Sequence, residues 1–163
     1  MQEMEKKDLL IMSNLRQDAR QTLTRMSRKT NIPISTIYDR LKYHENGAIM
    51  KHTSIIDFSK LGFTTRATAF IKVPRENREA VREFLLKSSC VNNLMKINND
   101  FDFFFEVIFR QIRDLENFTE KLEEDFKIRS MKVFYIIEEL KREGFLSDPV
   151  EVELSAGADS TLS

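Results

Sequence analysis

"TRMSRKTNIPISTIYDRLKYHENGAIMKHT", residues 24–53, holds two short helical patterns on either side of a proline. On the near side, "DARQTLTRMSRKTN" opens a helix near Thr22, with Leu23 and Met26 on one face and Arg25, Arg28 and Lys29 on the other. "NIP" at 31–33 ends it, because a residue before proline is pushed out of the helical region and proline itself tolerates only a first turn. On the far side Ile34, Ile37, Leu41 and His44 recur at spacings of three and four. "ENG" at 45–47 supplies the stop, with Gly47 expected in the left-handed position beyond the helix.

Upstream, Leu9, Leu10, Ile11, Met12 and Leu15 fall at mixed spacings over Lys7 to Leu15, as in a helix buried on a wide face. Three short helices with a tight turn before the last form the helix-turn-helix pattern, whose final helix can lie in a DNA major groove. At about 100° per residue, Ile34, Ile37 and Leu41 gather on one side. Ser35, Thr36, Asp39, Arg40, Lys42 and Tyr43 are then expected around the outward side, with Tyr38 at its edge. Ser35 and Thr36 can cap the helix or bond bases and phosphates, while Arg40 and Lys42 can neutralise phosphates or reach a guanine edge. Asp39 can accept from cytosine but repels a nearby phosphate. The bland alternative for each residue alone is that the hydroxyls cap the helix and the cations solvate it. The joint pattern favours double-stranded DNA as partner, with Arg25, Arg28, Lys29, Ser35, Thr36, Tyr38, Arg40, Lys42 and Tyr43 as the candidate contacts.

The charge distribution agrees. The chain has formal net charge +0, but residues 1–62 carry 11 Lys and Arg against 7 Asp and Glu, and residues 63–163 carry 15 against 19. A local field, not a total, attracts a polyanion. With 41% apolar residues, 13 Phe, 4 Gly and 3 Pro, the 163-residue chain has the means to bury a core.

Beyond Gly47, "AIMKHTSIIDF" reads as an extended arm and "SKLGF" at 59–63 as a hinge at Gly62. The period then changes to two. "RATAFIKV" (66–73) alternates as a strand; "PRENREAVREFLLKSS" (74–89) is an amphipathic helix opened by proline; "VNNLMKI" (91–97) is a strand. "FDFFFEVIF" (101–109) alternates Phe101, Phe103, Phe105, Val107 and Phe109 against Asp102, Phe104, Glu106 and Ile108. A helix over 113–126 and a strand over 130–140 complete the order βαββαβ, the ferredoxin-like arrangement. The fold class expected is α+β, with a helix-turn-helix domain and connecting arm at 1–62, a ferredoxin-like dimerisation and effector domain at 63–146, and a tail at 147–163, disordered from about Ser155. Arg66, Thr68, Phe70, Lys72, Asp102, Phe104, Glu106, Ile108, Phe134 and Ile136 would line the sheet face without helices. So many large apolar groups call for a second subunit, hence at least a homodimer.

"LRQDARQTLTRMSRKTNIPISTIYDRLK", "GAIMKHTSIIDFSKLGF" and residues 64–140 resemble, in that order, the helix-turn-helix, arm and regulatory domain of the leucine-responsive and asparagine-synthesis regulators, the Lrp/AsnC family. The resemblance covers about residues 5–142. It implies a transcription regulator that dimerises through its sheet and senses an amino-acid-like effector between dimers. The family loop before the central strand carries Gly followed by Asp. In "NNDFDF" Asn99 stands at the Gly position and Asp102 is retained, so the resemblance marks Asn99, Asp100 and Asp102 as effector candidates. His44 stands near a position that is apolar in the family.

Other chemistries find little support. His44 and His52 lack a metal-ligand pattern, and Cys90 is one cysteine, expected as a small buried hydrophobe in a reducing cytoplasm. No phosphate loop or catalytic triad can be argued, and no cofactor is implied. No run approaches a membrane span, and the start lacks a secretory signal. Sirohaem decarboxylases resemble the same two-domain family, but their chemistry is linked to basic side chains including histidine in the ferredoxin-like domain, and residues 63–146 contain no histidine.

Overall fold

The computed structural model describes residues 4–150 and Val152. By compactness the chain divides at Ser54/Ile55 and again at Glu139/Leu140. The first unit joins the N-terminal helices to the segment from Leu140 onward, and the second is Ile55–Glu139. These divisions differ from the change of period at 62/63 and from the 146/147 boundary. The arm's last turn groups with the sheet, and the segment after Glu139 groups with the helices. The expectation of disorder from Ser155 lies outside the described residues.

In the first unit, α1 (Lys6–Gln17), α2 (Leu23–Thr30) and α3 (Ile34–Glu45) pack around Ile11, Met26, Ile32 and Ile37, with Leu15, Leu23 and Leu41 at the margin. Each fully buried aliphatic side chain contributes roughly 1.5–3 kcal/mol. Thr22 caps α2 by accepting from the Arg25 amide at 3.2 Å. Asn31 closes the helix in the left-handed conformation (φ 55°), and Ile34 begins α3 directly after Pro33. Neither Ser35 nor Thr36 caps α3: the N-cap position is Pro33, and no side chain bonds there. Gly47 does not turn left-handed; α3 ends through Asn46 (φ −96°), with the Gly47 and Ile49 amides donating to the His44 carbonyl.

The distal segment folds back onto the same unit. Arg16 donates to both the carbonyl (3.0 Å) and the carboxylate (2.8 Å) of Glu143, and Val152 is buried.

In the second unit a short turn at Phe58–Leu61, capped by Asp57 and closed by Gly62 at φ 83°, leads into β1 (Thr65–Lys72). Then follow α4 (Arg78–Lys87), β2 (Val91–Lys96), β3 (Phe103–Phe109), α5 (Ile112–Phe126) and β4 (Ser130–Tyr135). The sheet is antiparallel in the order β2-β3-β1-β4, which makes it ferredoxin-like. One face buries Ala67, Ala69, Ile71, Phe103, Phe105 and Val107 under Val81 and Leu85 of α4 and Leu115 and Leu122 of α5. Phe84, stacked on Phe118 and tilted against Phe126, seals the helix layer. Cys90 packs half-buried against this core, and burial pushes its thiol up.

Two details depart from the period-two pattern. β3 begins at Phe103, and the turn before it rotates Phe101 to the other face, where its ring meets Phe70 at 5.7 Å. β4 ends at Tyr135; only the Ile136 amide continues the ladder, to the Arg66 carbonyl, and Ile137 is exposed.

Candidate functional site

The nucleic-acid candidates cluster on α2 and α3. Ile37 and His44 are buried and Leu41 half-buried, so the opposite side of α3 is turned outward. That side carries Ser35, Asp39, Lys42 and Tyr43, with Tyr38 also exposed. Arg25, Arg28 and Lys29 are exposed on α2; Arg25 leans 3.6 Å toward Asp18. Arg28, Lys29 and Lys42 make no ion pair among the described residues. Because no side chain caps α3, the amides of its first turn are open toward an anion.

Arg40 is not on the outward side. It lies about 60° from Ile37 round the helix, on the flank turned to α1, where one guanidinium nitrogen holds buried Asp8 at 3.1 Å and the other holds Glu5 at 2.8 Å. The Glu5 hydrogen bond, then the charge of Asp8, push Arg40 still further above its ordinary value. Asp8 also faces His44, with Nε2 3.1 Å from Oδ1. One buried carboxylate thus clasps the middle and the end of α3. Sequence reasoning missed Asp8 and Glu5: the partners are 32 and 35 residues away, beyond any local pattern.

In the second unit the effector candidates separate. Asn99 takes a left-handed φ of 66°, the conformation a glycine there would adopt freely, and its carbonyl accepts from Lys72 at 3.3 Å. Asp100 is exposed and has no partner among the described residues. Asp102 is buried: it accepts from the Val73 amide at 2.9 Å and pairs with Arg78 at 2.8 Å. Of the three, Asp102 borders a cleft of about 320 Å³ whose other walls are Arg78, Glu79, Arg82, Leu86, Leu94, Lys96 and Phe103. Arg78 is held by Asp102 and Arg82 by Glu79 at 2.7 Å, while Lys96 has no ion pair among the described residues; a cation beside an apolar floor suits a small molecule with a carboxylate and a hydrocarbon side chain. No sequence pattern brought Arg78, Arg82 and Lys96 together, since α4 and β2 supply them separately.

On the open sheet face Phe70 touches Phe104 (5.0 Å) and Phe134 (6.0 Å), and Lys132 lies over Phe101. Beside these rings sits a polar knot. Glu106, buried, accepts from Asn92 and Asn93 at 2.6 Å each and from Arg66, which also pairs with Glu139. Burial pushes the Glu106 carboxyl up, but the hydrogen bonds from Asn92 and Arg66 outweigh it and hold the group below its ordinary 4.5. Among the described residues, no helix is long and apolar enough to cross a membrane and no group of three His, Cys, Asp or Glu is arranged to hold a metal.

Known proteins carry the same arrangement. The family model of the Lrp/AsnC ligand binding domain matches residues 66–146. An uncharacterised helix-turn-helix-type transcriptional regulator of Pyrococcus abyssi is 31% identical over 143 residues, covering 85% of this chain and 88% of the relative. The regulator FL11 of Pyrococcus horikoshii is 29% identical over 119 residues, covering 72% and 77%. Among solved structures, a transcriptional regulator of Neisseria meningitidis in complex with L-Met superposes with a TM-score of 0.79 at 16% identity, covering 86% and 94%.

Proposed function

The chain belongs to the Lrp/AsnC family of helix-turn-helix regulators, and from this we infer that it is a sequence-specific DNA-binding transcription regulator whose α3 reads the major groove. The observation that carries the assignment of α3 is its exposed outer side: Ser35, Asp39 and Lys42 stand opposite the buried Ile37, flanked by exposed Tyr38 and Tyr43, above an uncapped first turn. Lys42, with Arg28 and Lys29 of α2, neutralises phosphates; Arg25 joins them at the edge. Ser35 and Thr36 with the first-turn amides set the register on the backbone, and Tyr38 and Tyr43 pack along the groove wall. Arg40 reaches a phosphate only by giving up Glu5, so its main part is to hold α3 through Asp8.

Two-fold pairing of the sheet supplies the second recognition helix. Phe134 is 53% exposed beside Phe70, Phe101 and Phe104, a patch that a second copy covers with its own. Two recognition helices then address half-sites about one helical turn, roughly 34 Å, apart. The effector is amino-acid-like: its carboxylate meets Lys96, and Arg78 and Arg82 only as they turn from Asp102 and Glu79, and its side chain lies on Leu86, Leu94 and Phe103. Support comes from the cleft's composition and from the L-Met bound by the Neisseria regulator.

The test is electrophoretic mobility on the gene's own upstream region at two salt concentrations. Each phosphate contact contributes roughly −0.9 to the slope of log affinity against log salt, so binding must fall steeply as salt rises. A retarded band insensitive to salt, or none at low salt, removes the DNA-binding assignment of α3.

A further inference from the structure

Resting on the reading of α3 as the recognition helix, we propose that Asp39 is the residue that specifies a cytosine in each half-site. Round the axis of α3, Asp39 lies about 160° from Ile37 and from Leu41 and about 140° from Ile34 and from His44. It is therefore the side chain pointing most directly away from the bundle core. It is exposed, and among the described residues its carboxylate makes no hydrogen bond or ion pair, although Lys42 follows it at the next turn. A carboxylate that shields nothing and caps nothing is unusual at the centre of a surface otherwise made of cations, hydroxyls and phenols, and the duplex gives it one place to go.

An ionised carboxylate only accepts hydrogen bonds. The phosphate walls of the groove repel it; those walls are met by the cations to either side, Lys42 on α3 and Arg28 and Lys29 on α2. On the major-groove floor the amino donors are cytosine N4 and adenine N6, and every other polar edge there is an acceptor. Adenine sets its N7 acceptor beside N6, so a carboxylate that takes N6 also meets N7 lone pairs. Cytosine has no such neighbour on its own edge. An anionic centre between cationic margins thus matches a floor that offers a cytosine amino group between two phosphate rails. Ser35, one turn before Asp39, reaches the adjoining base or phosphate and does not discriminate.

The experiment is selection from a pool of random duplexes, run in parallel with the full-length wild-type protein, Asp39→Asn and Asp39→Ala at one fixed salt concentration. The wild type is expected to enrich a cytosine at one position in each half-site, and replacing that pair weakens binding roughly tenfold or more. Asp39→Asn moves the preference at that position to adenine, since an amide pairs with N6 and N7 together, and leaves the other positions unchanged. Asp39→Ala accepts all four bases there and binds nonspecific DNA more tightly, because a negative charge has left the groove. The same base enriched at every position by all three proteins overturns the assignment of Asp39 while leaving α3 as the DNA-binding helix. Failure of the wild type to enrich any sequence overturns the recognition helix itself, and this inference with it. Neither variant should lower the melting temperature, because Asp39 makes no hydrogen bond or ion pair among the described residues, and Asp39→Ala raises it slightly through the helix propensity of alanine; a loss of several degrees in either variant contradicts its placement.

Discussion

At the scale of single residues, the decisive group in the helical unit is Asp8, a buried acid that serves Arg40 and His44 together. Replacing it by Asn leaves a guanidinium and an imidazole facing a neutral amide, although Arg40, a third exposed, keeps its bond to Glu5. We expect the denaturant midpoint of the helical unit to fall accordingly for Asp8→Asn, while Glu5→Gln, at an exposed contact, changes it by well under 1 kcal/mol. In the sheet the corresponding group is Glu106. Its folded pKa lies below the ordinary 4.5, so its contribution to stability is fully present above the unfolded value and is lost as pH falls through the depressed folded one. Urea midpoints recorded between about pH 6 and pH 3 should therefore decline most in the acid part of that range, and Glu106→Gln should remove that part of the slope. A wild-type curve that falls only on the alkaline side contradicts the polar knot.

At the scale of elements, α2 and α3 test the division of labour on the DNA side. Thr22→Ala removes the cap of α2 and should cost about 1 kcal/mol in a thermal or urea melt. Lys42→Ala should weaken binding about equally for all sequences and reduce the magnitude of the salt slope by about 0.9. An unchanged slope takes Lys42 out of the interface. Arg40→Ala should instead show its effect in the melt of the free protein, with a smaller change in slope. Elements were legible where one face is greasy over a whole run: the alternation from Phe103 to Phe109 and the spacing of Ile37, Leu41 and His44 each have one physical explanation, whereas Ile34, expected inward, is exposed at the first turn of α3. They were less legible at ends. Phe101 obeys the alternation in sequence yet belongs to a turn, and Ile136 and Ile137 look like strand although the ladder stops at Tyr135. Arg40 is the clearest case on the candidate site. Its charge suggested an outward place, but phasing already sets it about 60° from buried Ile37, and the acids that hold it on that flank, Asp8 and Glu5, are invisible to local spacing. The cleft cations were hidden for the same reason, since Arg78, Arg82 and Lys96 converge only when α4 lies beside β2.

At the scale of the whole molecule, the aromatic patch around Phe70, Phe104 and Phe134 predicts the assembly. Phe134→Glu should convert the dimer to a folded monomer by sedimentation, with far-ultraviolet dichroism retained and half-site cooperativity on DNA lost. A dimer that survives the charge has another interface. The helical unit has a further property, which follows from the clasp between Arg16 and Glu143 and the burial of Val152. Topologically it is woven from two distant stretches of polypeptide, with the sheet spliced into its middle. A protease that nicks the exposed arm once therefore should not liberate the helices as a single peptide that elutes by itself. The two products should travel together on a sizing column until denaturant parts them, and a truncated gene encoding only the first 54 codons should yield a looser bundle than the same codons joined to the distal stretch.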